Sequence, residues 1–198
     1  MKSLCFIKSD FKNYLNKLLN NKFTCERKRI IRESINSYLK IQELFKNNDS
    51  SYRELFCVYY DLNFHQQMPN IVEKYFGLMD AERNNTDSSE IYQKVEHLFK
   101  LMRKRKDQKE QQVYHVYSTK LVHTIDNNFP IIDKHIKGFL GIDHRITIAT
   151  IKSIQKIYIK LQNSFKNEIR CFRRIYCCES ISTTKCIDFI VFLGDKLF

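Results

Sequence analysis

Apolar side chains recur along this chain at helical spacing. Phe11, Tyr14, Leu15, Leu18 and Leu19 share one face of a first helix, with Ser9 and Asp10 placed to cap it. Ile31, Ile35, Tyr38, Leu39 and Phe45 do the same for a second helix over about 24–46. A polar break at 47–51 then supplies serines that can cap a helix running through Tyr60. After Gln66-Gln67-Met68-Pro69, the residues Ile71, Val72, Tyr75 and Phe76 mark another. From Ser89 onward Ile91, Val95, Leu98, Phe99 and Met102 follow i, i+4, i+7, i+8, i+11, a strong helical signature. Ile151, Ile154, Ile157, Tyr158, Leu161 and Phe165 form a long amphipathic stripe. The stretch 185–197 is apolar almost all round, which predicts a buried closing helix. The period-two alternation of strands is scarce. The pattern predicts an all-α fold of eight to ten helices, with the polar linker 84–89 the best candidate for a boundary between two lobes.

Composition agrees with short helical connections: 4 Gly, 2 Pro and no Trp in 198 residues. Charge adds a partner class. With 34 Lys+Arg against 22 Asp+Glu the formal net charge is +12, which favours a polyanion. Basic runs at 26–32, 102–106 and 170–176 carry much of the excess and point to a nucleic-acid groove. Residues 1–10 hold an apolar run too short for a secretory signal, and no stretch reaches bilayer length. The expectation is therefore a soluble, cytoplasmic protein with no membrane partner. Seven Cys, an odd number, are expected as reduced thiols. No glycine-rich phosphate loop occurs, which argues against an NTPase or a dinucleotide enzyme.

One segment carries recognisable chemistry. Residues 117–141 hold a predicted helix bearing Lys120, a short Asn127-Asn128-Phe129-Pro130 connection, and Asp133 at the N-cap of a second helix ending near Gly138 or Gly141. A helix running away from Lys120 and returning through that connection brings amine and carboxylate together. A lysine amine attacks only when unprotonated, so its ordinary pKa of about 10.4 must be lowered by burial or by nearby positive charge. Val116, Leu121 and Val122 are apolar neighbours able to supply the burial. A carboxylate at a helix N-cap is held ionised and fixed in direction.

Lys120 and the string Pro-Ile-Ile-Asp-Lys-His-Ile at 130–136 resemble the lysine-to-aspartate segment of the helix-hairpin-helix DNA glycosylase superfamily. There a helix with the catalytic lysine runs into a P-[IV]-x-D-x-[HR]-[VI] turn. The continuous likeness covers about 114–141; Phe56 to Asn63, Val72 to Phe76 and Thr184 to Val191 add weaker likeness to compact bacterial relatives. The resemblance implies a two-lobed helical bundle of the glycosylase type, acting as a monomer on duplex DNA in base-excision repair, with no cofactor. The implied reaction cleaves the N-glycosidic bond of a damaged or modified base, as a hydrolase or with lyase activity. Lys120 is then the Schiff-base nucleophile and Asp133 the electrostatic stabiliser, and the lysine favours an oxidised purine. Implied DNA contacts are Lys134, His135 and Lys137 around the second helix and Arg103, Lys104 and Arg105 in the basic run. Two features depart from the family. Its Leu-Pro-Gly-Val-Gly hairpin corresponds to Gln112-Val-Tyr-His-Val-Tyr117, which has no glycine, and the lysine-to-aspartate interval is shorter than in the oxoguanine enzymes.

Other readings of the same residues stand beside this one. A non-catalytic DNA- or RNA-binding helical module that kept the scaffold and lost the chemistry accounts for the missing glycines. An interaction protein whose basic faces only keep it soluble accounts for the charge. Taken singly, a lysine in a basic helical protein is most often a solvated charge, and an Asp after a Pro-containing loop is most often only a helix cap. Cys171, Cys177, Cys178 and Cys186 lie where some relatives hold an iron–sulfur cluster. Their C-x5-C-C-x7-C spacing puts two cysteines side by side, so buried free thiols are expected instead. His115, His123 and His135 lack the i, i+4 pairing of a helical zinc site, and no metal is expected.

Overall fold

Ten helices make up the regular structure of the described residues, and no strand occurs among them. The computed structural model describes residues 1–20, 25–62, 69–101, 108–143 and 146–197. The helices are α1 (Leu4–Leu19), α2 (Cys25–Lys46), α3 (Tyr52–Tyr59), α4 (Pro69–Ala81), α5 (Ser88–Leu101), α6 (Gln108–Ile125), α7 (Lys134–Leu140), α8 (Ile148–Ser164), α9 (Lys166–Tyr176) and α10 (Thr183–Leu197). The all-α expectation therefore holds.

Two boundaries differ from the sequence pattern. α1 starts at Leu4, because Ile7 extends the buried stripe of Phe11, Leu15 and Leu18 by one turn toward the N-terminus. Ser9 and Asp10 thus lie inside the helix, and Asp10 pairs with Lys2 at 2.9 Å instead of capping. The long stripe ending at Phe165 is interrupted there: Phe165 leaves helical geometry (φ −127°, ψ 31°) and joins α8 to α9. Of the apolar pattern on α5, Ile91 and Val95 are buried and Leu98 is partly so. The side chain of Phe99 and all of Met102 lie outside the described residues.

α10 packs against α1, α7, α8 and α9, which explains a sequence apolar almost all round. Cys186, Ile187, Phe189, Ile190, Val191 and Leu193 are all buried. At Gly194 the ring of Tyr14 from α1 occupies the place of a side chain, so even a methyl group there meets the ring. A second region joins α2, α3 and α4 through aromatic edges. Tyr52 lies 5.2 Å from Phe45 and 5.8 Å from Phe76, both edge-on, and Phe56 packs on Phe76 at 5.7 Å. Burying each such ring contributes about 1.5–3 kcal/mol. One apolar core continues on both sides of the loop 82–87 that joins α4 to α5.

The chain start is tied to the end of α7. The Lys2 amide donates to Leu140 O at 2.8 Å. Gly141, left-handed at φ 64°, ends α7, and a Cβ there would lie 2.8 Å from Lys2 Cγ. Only glycine satisfies both the backbone angle and the approach. No helix among the described residues is long and apolar enough to cross a membrane.

Candidate active site

The connection between α6 and α7 is held by side chains from four other places. Asp126 accepts from the Ser88 hydroxyl and, at 2.9 Å, from the Asn128 amide. Ser182 donates to Asn127 O at 2.6 Å, and Thr184 to Asn128 O at 3.3 Å. His123 is wholly buried, with Nδ1 2.6 Å from Phe129 O. A carbonyl can only accept, so Nδ1 carries the proton and Nε2 accepts from the Tyr38 hydroxyl at 3.0 Å. Burial holds His123 neutral, bringing its pKa down to about 3, with the Lys185 charge acting in the same direction. His123 is a core histidine, fully used by the fold.

A shorter link sets the two residues of interest. Thr119 Oγ1 accepts from the Ile132 amide at 3.1 Å and donates to Val116 O at 3.2 Å. Thr119 precedes Lys120 and Ile132 precedes Asp133, so one hydrogen bond fixes the helix carrying the amine against the strand-like approach to the carboxylate. Asp133 is the N-cap of α7, its Oδ1 accepting from the amides of His135 (2.9 Å) and Ile136 (3.0 Å).

Lys120 and Asp133 line one cavity of about 480 Å³, bounded by Ser34 of α2, the end of α3, α6, the start of α7 and α10. Lys120 is only 9% exposed. Its Nζ donates to Tyr60 O at 3.0 Å and lies 5.0 Å from the Tyr60 ring centre. Tyr60 ends α3, and Asp61 beyond it is left-handed at φ 50°, so the Tyr60 carbonyl has no helical partner and is free to take the amine. Burial brings the Lys120 pKa down to about 8, against the opposing pull of Asp133 and Asp61.

The far wall was not marked by the sequence pattern. Lys185 and Asp188, one turn apart on α10, are both buried in the cavity lining. Asp188 accepts from the Tyr158 hydroxyl at 2.7 Å and from the Ile131 amide at 3.4 Å. Burial lowers Lys185 and raises Asp188 relative to their ordinary pKa values, and each charge partly offsets the shift of the other. Two charges ahead of the apolar run Phe189–Leu193 of one helix were the available signal. Tyr60 adds a hydroxyl shut off from solvent and without a hydrogen-bond partner among the described residues.

Of the expected DNA contacts, Lys134 and His135 line the cavity, and His135 Nδ1 lies 2.6 Å from Asp195 Oδ2. Lys137 is half-buried on α7 and does not line it. Arg103, Lys104 and Arg105 fall outside the described residues. The other two basic runs lie on α2 and α9, which pack together. Two of their arginines serve the fold: Arg32 donates to Ile175 O, and Arg173 to Ile181 O and Thr183 Oγ1. Cys171 and Cys177 are exposed and unpaired by disulfides; Cys178 and Cys186 are buried free thiols whose pKa values are pushed up to about 12 by burial. No cluster of His, Cys, Asp and Glu fit for a metal ion occurs among the described residues.

Fold and site together define an all-helical protein with a lysine–aspartate cavity open to solvent. Compared with known proteins, the chain matches no family model, no curated protein and no solved structure.

Proposed function

We propose that this chain is a DNA glycosylase that removes a damaged or modified base, with Lys120 as nucleophile and Asp133 as stabiliser of the positive charge that develops on the sugar. The observation that carries the reading is that a desolvated lysine amine and a capped carboxylate open on the same cavity, joined through Thr119 and Ile132. A base buried in a duplex is out of reach of such a cavity, so the target nucleotide must swing out of the stack to enter it.

The Lys120 lone pair attacks C1′ of the everted nucleotide. The C1′–N bond breaks as the N–C1′ bond forms, and the base leaves with the bonding electrons and takes up a proton. The attached amine gives up a proton, the sugar ring C1′–O bond opens, and a protonated imine results. Loss of a C2′ proton then expels the 3′ phosphate, which is strand cleavage. Asp133 lowers the barrier by facing the oxocarbenium-like centre with a fixed negative charge. Lys134 and His135 line the same cavity, and in this reading they meet the flanking phosphates.

Borohydride reduction during incubation with lesion-bearing duplexes tests this. Wild-type protein should give a covalent adduct, Lys120→Gln none, and Asp133→Asn little while remaining folded, because Asn still caps α7. The reactive form is the free amine, so trapping should rise about tenfold per pH unit up to about 8 and level off above it. Wild-type protein that never yields an adduct removes the lysine mechanism.

A second reading has its own support. α6 runs unbroken through Gln112–Tyr117, where the glycosylase family has its glycine hairpin, so the backbone there offers no close approach to a phosphate. A DNA- or RNA-binding module without catalysis fits that feature. It predicts binding that weakens by on the order of a hundredfold between about 50 and 200 mM salt, with no adduct on any lesion.

A further inference from the structure

The cavity holds a second amine that the reaction above does not use. Lys185 is 4% exposed. The rings of Tyr38, Phe189, Tyr60 and Tyr59 surround its Nζ, with centres at 4.6, 4.8, 5.5 and 5.6 Å. No hydrogen-bond acceptor for that nitrogen occurs among the described residues. The Tyr60 ring is shared, since Lys120 Nζ lies 5.0 Å from the same centre. Two ammonium groups on buried side chains, against one ring, repel each other, and the pair sheds one proton where isolated lysines keep theirs.

The surroundings decide which amine loses it. An aromatic face attracts a cation and does little for a neutral amine, so four rings favour the charged form of Lys185. Asp188 acts in the same sense. Both of its oxygens accept, one from a hydroxyl and one from an amide, which is the arrangement of an ionised carboxylate. Lys120 has one ring and one hydrogen bond, to the Tyr60 carbonyl. A neutral amine keeps that bond, because it still has N–H groups to donate, and gains a free lone pair.

We propose that Lys185 is the fixed cation of a lysine pair, a positioning residue that holds Lys120 as a free amine. Asp61 and Asp133 face Lys120 and favour its proton; Asp133 and Asp188 face Lys185 and favour its charge, against the Lys120 ammonium, which opposes it. Tyr38, Tyr59 and Tyr60 are kept protonated by burial, and Lys134, His135 and Lys196 line the same cavity. Burial lowers both lysines, which makes the loss of one proton accessible near neutral pH.

The proposal rests on the glycosylase reading only for what the amine attacks, so its test uses no DNA. Formaldehyde condenses with a free amine, releasing water, and cyanoborohydride delivers hydride to the resulting iminium, leaving a methyl group. Mapping that label by peptide mass spectrometry across pH gives each lysine its own midpoint. Wild-type Lys120 should label well before Lys185. Lys185→Met should move the Lys120 midpoint upward by about one pH unit, and Lys185→Arg should leave it in place. An unmoved midpoint in folded Lys185→Met protein overturns the proposal. Side-chain NMR of labelled lysines in the wild type is a second measurement that needs no variant: Lys120 should lose its proton first, and the reverse order also overturns the proposal. An adduct-free protein that nonetheless shows the paired titration keeps the lysine pair and removes the attack of Lys120 on the sugar.

Discussion

In the turn at 126–133 and on the neighbouring cavity wall, polar groups are treated in opposite ways. Along the turn, Asn127 O, Asn128 N and O, Phe129 N and O, Ile131 N and Ile132 N each have a partner, drawn from α6, α10, Ser182 just before it and the turn itself. On the wall, the Tyr60 hydroxyl has none among the described residues, and the Lys185 ammonium lies against ring faces with the Asp133 and Asp188 charges near it. A buried polar group left unpaired costs stability, so a fold tolerates it only sparingly. The contrast separates two jobs. The turn fixes geometry, and the wall carries buried charge beside the cavity.

Substitutions in the two regions should therefore move different quantities. The largest stability effect is expected at His123, where Gln leaves Phe129 O and the Tyr38 hydroxyl poorly matched, costing about 3 kcal/mol at neutral pH. The pH dependence sharpens it. His123 titrates near 3 in the fold and at about 6.5 when unfolded, so the unfolded chain binds the extra proton between those values. Its contribution is complete above about pH 6.5 and declines as pH falls toward 3, by up to about 1.4 kcal/mol per unit. Urea unfolding at pH 7 and pH 5 should show the gap between wild type and His123→Gln narrowing by about 2 kcal/mol. A gap that ignores pH would mean that His123 is not held neutral.

Thr119→Val should come next. It keeps the shape, removes the acceptor of the Ile132 amide, and should cost about 1–2 kcal/mol in the same assay. Because that bond sets Lys120 against Asp133, adduct formation should also slow by about tenfold or more. An intact adduct rate would break the link between the turn and the site. The smallest effect belongs to the wall: Tyr60→Phe removes an unpaired hydroxyl and should leave thermal stability unchanged or raise it by about 1 kcal/mol. A clear loss of stability would show that the hydroxyl has a partner in the fold.

The same contrast explains what the sequence disclosed. Helices were legible because burial imposes a period on Ile31, Ile35, Tyr38 or on Ile151, Ile154, Tyr158, and the structure buries those residues. Lys120 and Asp133 were legible because a local segment joins them and Asp133 caps as its position implies. Lys185, Asp188 and Tyr60 were not, since what makes them unusual is contact between α3, α6 and α10, which local pattern does not encode. Lys185 and Asp188 did stand out as charges ahead of an apolar run, yet nothing in that helix tells which ring or amine they meet. Ser9 and Asp10 misled for the opposite reason: good capping residues lost to a hydrophobic stripe that continued past them.

The placement of Lys185 on α10 has a consequence for a chain still being synthesised. Lys120, the turn and Asp133 leave the ribosome well before Thr183–Leu197. Until α10 docks, the cavity has no far wall, Lys120 faces water, and its amine is an ordinary protonated lysine. A nascent or locally opened chain thus carries Lys120 as an ordinary ammonium, and a free amine becomes accessible only once α10 is in place.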